Sequence, residues 1–319
     1  MKRARDVLWP IIGLGTVGFA SWLLIKELRG LSIADVEAAI SAISPPRWTG
    51  AIGTAGVAYA ALASYDRIAL AYLGRRLDWR FASLVSFCAY ALAHNIGATV
   101  FSGGAARYRA YSTKGLGVAE VGALAAFNAF TFALGVFSLG GLTLLFHPDL
   151  ARRCVDLPDW AARLAGCGLL GVPSLYTIGS LLHFPPLKVR GFELLYPRPS
   201  VVARQLLVAP MDLIGGAGII YFALPSGSNP GFAVVLGVYL ASFTLALVSH
   251  APGGLGVLEY SFVKAAPSAP PADLLAALLV FRLLYLILPL LFALVAVVMF
   301  ERGQIGELAG AKGGGRCRR

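Results

Sequence analysis

The chain has 319 residues, 58% of them apolar and 13% charged, with a mean hydropathy of +0.74, a balance that excludes an ordinary soluble globular protein. Its formal charge of +11 is spread in short basic clusters between apolar runs, as in loops facing anionic lipid, so no nucleic-acid partner is expected. The apolar windows are continuous and long enough to cross about 30 Å of hydrocarbon, which predicts helices and excludes a β-barrel.

The N-terminus, MKRARDVLWPIIGLGTVGFASWLLIK, opens like a signal peptide. Its apolar run is longer than that of a cleaved segment, so a retained first helix is expected over 8–25. Full spans follow over 48–64, 118–146, 164–182, 201–224 and 274–300. Two further apolar stretches are interrupted: 81–114 at HNIGATVFSGG and 232–264 at SHAPGGLG.

If both interrupted stretches crossed completely, the cluster Arg107, Arg109, Lys114 and the cluster Lys188, Arg190, Arg198, Arg204 would face outward, against the positive-inside bias. If each instead dips in and returns, every basic cluster becomes cytoplasmic, with both chain termini. The expected fold is therefore all-α: six full transmembrane helices plus two re-entrant helical hairpins in an inverted-topology repeat. One membrane domain results, with a first half over 1–150, a second over 151–305 and a basic cytoplasmic tail over 306–319. Broken segments at matching places in inverted halves are the usual mark of a midplane transport site.

Non-helical backbone in lipid leaves unpaired N–H and C=O groups, so it survives only where protein or a wet cavity covers it. The glycines Gly103, Gly104, Gly253 and Gly254 let a ligand approach the main chain, and a half-helix N-terminus favours an anion such as phosphate. Arg107 and Arg109 add guanidinium forks matched to phosphate oxygens. A second reading stays open for both sets, in which the glycines permit close helix packing and the arginines anchor a hairpin in the headgroup layer.

Asp212 and Arg282 each lie about 12 Å along their helices, a depth at which charges face an interior and find a partner. Either they pair with each other, or Arg282 contacts a headgroup phosphate and Asp212 a cationic headgroup. Glu259, after the PGGLG turn, binds an amine, carries a proton, or pairs with Lys264. His94 and His250 sit at the two breaks, as structural hydrogen-bonding groups or titrating ones. Asn95 and Asn128 read as interhelical hydrogen-bond residues. The cysteines Cys88, Cys154, Cys167 and Cys317 form no CxxC pair, the histidines have no metal spacing, and no nucleotide motif is present, so neither metal nor cofactor is expected and no catalytic residue is assigned.

The stretches HNIGATVFSGGAARYRAYSTKGL, SHAPGGLGVLE and FRLLYLILPLL, with the pattern PGGLG-x-x-E followed by R-x-x-Y-x-x-x-P, resemble the transmembrane region of the lysylphosphatidylglycerol synthase/flippase family. The resemblance implies a bacterial inner-membrane protein, a flippase that moves an anionic or aminoacylated phosphatidylglycerol-type lipid between leaflets. It resembles a stand-alone member, since no aminoacyl-transferase domain follows the membrane region before GGGRCRR, and synthesis of the lipid is not expected. Membrane phospholipid is the expected partner; a homo-oligomer and a separate lipid-modifying enzyme are left open. The alternatives are an integral-membrane lipid-headgroup transferase and an ion-coupled transporter of a soluble anion.

Overall fold

The computed structural model describes residues 34, 37, 41, 43–96, 99–184, 187–189, 192–194, 196–248, 257–265 and 269–314. The expected span 8–25 and the glycine turn at 249–256 lie outside them. The described chain is helical: α1 (Pro45–Tyr72), α2 (Trp79–Ile96), α3 (Thr99–Ser112), α4 (Val118–Phe146), α5 (Asp149–Val155), α6 (Asp159–Leu181), α7 (Pro199–Ala223), α8 (Phe232–Val248), α9 (Val257–Ala265), α10 (Pro271–Phe281), a π-helical turn (Arg282–Ile287) and α11 (Leu288–Gly314). One departure from an all-α fold is a two-stranded antiparallel ribbon, β1 (Leu187–Val189) with β2 (Phe192–Leu194), in the basic loop before α7. The alternating LKV and FEL flank a glycine-containing pair, a short-hairpin pattern.

Proline sets the helix starts: α1, α7 and α10 each begin with Pro in the first turn, where a missing N–H costs nothing and the fixed φ is already helical. The α4 start is fixed by Glu120, whose carboxylate accepts from the Gly117 N–H at 2.9 Å and from Arg75 Nε at 2.7 Å.

Four helices among the described residues are long and apolar enough to cross a membrane, over Val118–Phe146, Asp159–Leu181, Pro199–Ala223 and Asp273–Gly303. The protein is membrane-embedded. Helix α1 has 28 residues but carries Arg47, Asp66 and Arg67 and is not among the four. It lies antiparallel along α7, the two backbones brought together by small residues. A Cβ on Gly215 would stand 2.7 Å from Ala58 Cβ and 2.8 Å from Thr54 O, one on Gly218 would meet Thr54 Cγ2 at 2.6 Å, and one on Gly50 would meet the Phe222 ring at 2.6 Å. In lipid, where apolar surface gains nothing by leaving hydrocarbon, such close backbone approach supplies the association. Gly141 and Gly166 play the same part between α4 and α6, each Cβ position lying within 3 Å of the other's carbonyl oxygen.

Helices α2 and α3 form an antiparallel hairpin. Gly103 faces Ala89 and Ala93, while Tyr111 at the far end contacts the Phe81 ring with centroids 6.0 Å apart. The sequence places Gly103 and Gly104 in the break itself; both instead lie inside α3, and Gly103 is required because the backbone of α2 passes so close. Helices α8 and α9 also pack on one another. The α2–α3 hairpin packs against α1 and α11, and α8 packs against α7 and α4. The last helix continues to Gly314, past the boundary at which the sequence places a separate tail.

Candidate functional site

Among the described residues the interior holds three arginine–carboxylate pairs, one carboxylate held by tyrosine, and His94. The first pair lies between α1 and the α2–α3 hairpin. Arg107 Nε donates to both Asp66 oxygens, at 2.9 and 3.0 Å, with Asp66 fully buried. Asp66 also accepts from Tyr111 Oη at 2.8 Å and from Asn128 Nδ2 at 2.6 Å, so donors from α3 and α4 converge on one carboxylate of α1. The Arg107 guanidinium stands 4.6 Å from the Tyr90 ring centroid, the geometry of a cation–π contact. Its Nη2 is buried without a hydrogen-bond partner among the described residues.

Arg109, two residues on and so on another face of α3, forms a fork with Glu301 of α11: Nε to Oε1 at 2.8 Å and Nη2 to Oε2 at 2.7 Å. Arg282, at the first position of the π turn, pairs with Glu259 of α9. The Glu259 side chain is 20% exposed, against 0% for Asp66 and 3% for Glu301. Glu259 is the most exposed carboxylate of the three pairs, and Arg109, at 17%, the most exposed guanidinium.

Asp212, on α7, accepts from Tyr285 Oη at 3.0 Å and lies beside the Tyr65 hydroxyl. It makes no ion pair among the described residues, so the structural Asp212–Arg282 pair left open by the sequence does not form. Gly216, one turn along α7, leaves the space that the Tyr239 hydroxyl occupies. The π turn that carries Arg282 and Tyr285 is held from outside: Tyr59 Oη donates to the Tyr285 carbonyl at 2.7 Å and Asn95 Nδ2 to the Leu286 carbonyl at 3.1 Å. A π turn shifts the backbone hydrogen-bond register, and side-chain donors cover carbonyls that the regular ladder does not.

His94 joins these groups. It stacks on Tyr285 with centroids 5.3 Å apart, lies 5.7 Å from the Tyr90 ring and 5.7 Å from Phe243. A continuous line therefore runs from Asp66 through Arg107, Tyr90, His94 and Tyr285 to Asp212. Of the residues singled out in the sequence, Arg107, His94 and Asp212 belong to this line, while Asn128 bonds to Asp66 and Asn95 to the Leu286 carbonyl beside Tyr285. Arg282 lies in the same π turn as Tyr285 and takes Glu259 as its partner, and Arg109 faces α11 instead. His250, Gly253 and Gly254 lie outside the described residues. Asp66, Glu301 and the tyrosines are the participants that sequence reasoning passed over. The argument that marks Asp212 extends to Asp66, an acid inside the 28-residue helix α1.

These features define a polytopic helical membrane protein with arginine–carboxylate pairs and a tyrosine-held carboxylate in its interior. Residues 11–293 match the family described as the lysylphosphatidylglycerol synthase TM region, and the chain belongs to that family. It is 29% identical over 279 residues to the uncharacterized protein slr0712 of Synechocystis sp., with 86% of each chain covered. It is 31% identical over 261 residues to the inner membrane protein YbhN of Escherichia coli, with 79% of each covered.

Proposed function

We propose that this protein is a phospholipid translocase of a bacterial inner membrane, moving an anionic or aminoacylated phosphatidylglycerol-type lipid between leaflets. The family description and the membrane-embedded fold favour a role tied to membrane lipid. The observation that carries the reading is the Arg282–Glu259 pair, partly open, with Glu259 close in sequence after the glycine-rich stretch PGGLG. A lipid headgroup bearing phosphate and ammonium enters such a pair by exchange: phosphate takes the guanidinium, and Glu259 turns to the ammonium. Each buried charge keeps a partner throughout, which avoids the several kcal/mol cost of an isolated ion in a low-dielectric site. Arg107 and Arg109 extend the phosphate path along α3, beside Gly103 and Gly104, and Asp212 and His94 line the inner end.

The two hairpins are read as re-entrant, in an inverted repeat of halves 1–150 and 151–305, with both termini cytoplasmic. Helix contacts support that reading by pairing off: α1 with α2 as α7 with α8, α2 with α3 as α8 with α9, α2 with α11 as α8 with α4, and α1 with α4 as α7 with α10. A two-fold axis in the membrane plane produces such pairing, and it also accounts for equivalent helices α1 and α7 crossing antiparallel at the centre.

The test is reconstitution in vesicles with fluorescent phosphatidylglycerol and lysyl-phosphatidylglycerol, reading the fraction protected from an impermeant quencher. Wild type is expected to speed exchange between leaflets, and Glu259→Gln and Arg282→Gln to lose about tenfold of that rate or more. Equal rates in wild type, both variants and protein-free vesicles defeat the reading; uptake of soluble anion without lipid movement replaces it with a transporter.

A further inference from the structure

Helices α2, α3 and α11 enclose a groove of about 110 Å³. Its walls are Leu84, Cys88, Leu92, Ala105, Ala296 and Val297, and its only charged lining residues are Arg109 and Glu301. Those two stand at one end, near Phe81 and Phe300, while Leu92 and Ala105 line the other. From Phe81 to Leu92 the wall of α2 runs about 16 Å at 1.5 Å per residue.

The charged end carries the marks of a headgroup layer. Trp79 is 57% exposed, with the Arg67 and Arg80 guanidiniums 5.7 and 5.4 Å from its ring centroid. Lys114 places its ammonium 5.4 Å from the Phe81 ring, itself part of the groove wall. An exposed tryptophan clasped by basic side chains belongs where hydrocarbon meets water. Arg109 uses Nε and Nη2 on Glu301, and the two N–H groups of Nη1 have no partner among the described residues. The carboxylates at this end are Glu301 and Asp78, which accepts from the Phe81 N–H at 3.1 Å, and Arg67, Arg80, Arg109 and Lys114 outnumber them.

We propose that this groove holds one acyl chain of an anionic phospholipid, with the lipid phosphate on Arg109 Nη1 and Lys114. A tail joined to a phosphate matches each part: an apolar channel, a single basic end, and an opening at the depth where phosphates lie. A protein segment fits less well, because the walls offer no hydrogen-bonding group along their length to answer its polar atoms. The site rests on the translocase reading for its lipid class and shares Arg109 with it. Neither Arg282 nor Glu259 lines the groove, and Ala105 and Ala296 have no part in the translocase reading, so the two ideas fail on different variants.

The test uses nanodiscs of phosphatidylglycerol containing a trace of the same lipid with a mid-chain photoreactive diazirine, followed by peptide mapping. Label is expected to concentrate on residues 84–92 and 296–297, and to fall about tenfold in Ala296→Trp, whose indole fills the channel. Ala105→Leu narrows the groove with a smaller change and is expected to give a partial loss at unaltered thermal stability. A phosphatidylcholine probe with the same chain is expected to label several-fold less. Label spread evenly over outward apolar residues such as Leu175 and Phe292, unchanged in both variants, overturns the proposal. So does a Cys88 cross-link to a second copy of the chain in place of lipid.

Discussion

The His94 imidazole lies nearly parallel to the Tyr285 ring, 16° between planes, and Tyr285 donates its hydroxyl to Asp212 on the opposite central helix. This stack joins the α2–α3 hairpin to the π turn, and through it the Asp66–Arg107 pair to the Asp212 carboxylate of α7. Neither aromatic ring can shift without disturbing a buried charge. The centre of the molecule is therefore one polar unit whose parts come from α1, α2, α3, α7 and the π turn.

Replacing Asp66 by Asn tests how far that unit holds the fold. The change keeps the shape but leaves Arg107 buried without a counter-charge and weakens the bonds from Tyr111 and Asn128. Removing one member of a buried pair costs about 3–5 kcal/mol, because the surviving ion has lost its water as well as its partner. Detergent-solubilised Asp66→Asn is expected to unfold at clearly lower temperature than wild type. The double variant Asp66→Asn with Arg107→Met, which removes both charges, is expected to recover most of the loss. A double variant as unstable as the single one contradicts this account.

The π turn makes a second prediction. Tyr59→Phe deletes the donor to the Tyr285 carbonyl and little else, leaving a buried acceptor unsatisfied at a cost of about 1–3 kcal/mol. Hydrogen exchange at residues 282–287 is expected to rise in this variant while exchange along α4 stays unchanged. A uniform rise across the molecule shows that Tyr59 supports global stability and not this turn.

Glycine at the α1–α7 crossing gives a third. A Cβ on Gly215 would stand 2.7 Å from Ala58 Cβ and 2.8 Å from Ala58 N, which cannot move without displacing α1, whereas one on Gly53 would meet nothing within 4 Å. Gly215→Ala is expected to destabilise by about 1–3 kcal/mol as an overpacked contact. Gly53→Ala, in open space on the same helix pair, is expected to stabilise by about 0.5–1 kcal/mol through the chain's lost freedom when unfolded. Resistance to denaturing detergent ranks the two, and the same sign for both refutes the assignment of this crossing to glycine.

Much of the helical layout is legible in the sequence because apolar length is a strong signal. The run at 118–146 is a single helix with the bounds its hydropathy suggests, and the polar break after Asn95 separates α2 from α3. Ion partners are not legible in the same way. Asp66 stands between Tyr65 and Arg67, and Glu301 beside Arg302, so each has a neighbouring opposite charge in sequence and reads as locally compensated; only the packing of α1 on α3 and of α3 on α11 gives them to Arg107 and Arg109. Gly103 illustrates a different ambiguity, since glycine serves a turn and a tight helix contact equally well, and the close backbone of α2 decides between them. The π turn over 282–287 has no composition of its own; Tyr59 and Asn95, distant in sequence, stabilise its carbonyls.

The Arg282–Glu259 pair separates stability from function. Glu259→Arg alone puts two cations together in a poorly hydrated site, and Arg282→Glu alone two anions, so each is expected to destabilise by more than the neutral change Glu259→Gln. The exchanged double variant, Glu259→Arg with Arg282→Glu, restores opposite charges across the same gap and is expected to regain most of the melting temperature. If the pair were only a strut between α9 and the π turn, lipid exchange between leaflets would return with it. If instead a headgroup exchanges into the pair, the guanidinium now projects from α9 and the carboxylate from the π turn, and phosphate and ammonium meet the wrong charges. Translocation is then expected to stay about tenfold or more below wild type in vesicles where the double variant is folded. Recovery of both stability and translocation assigns the pair to the scaffold.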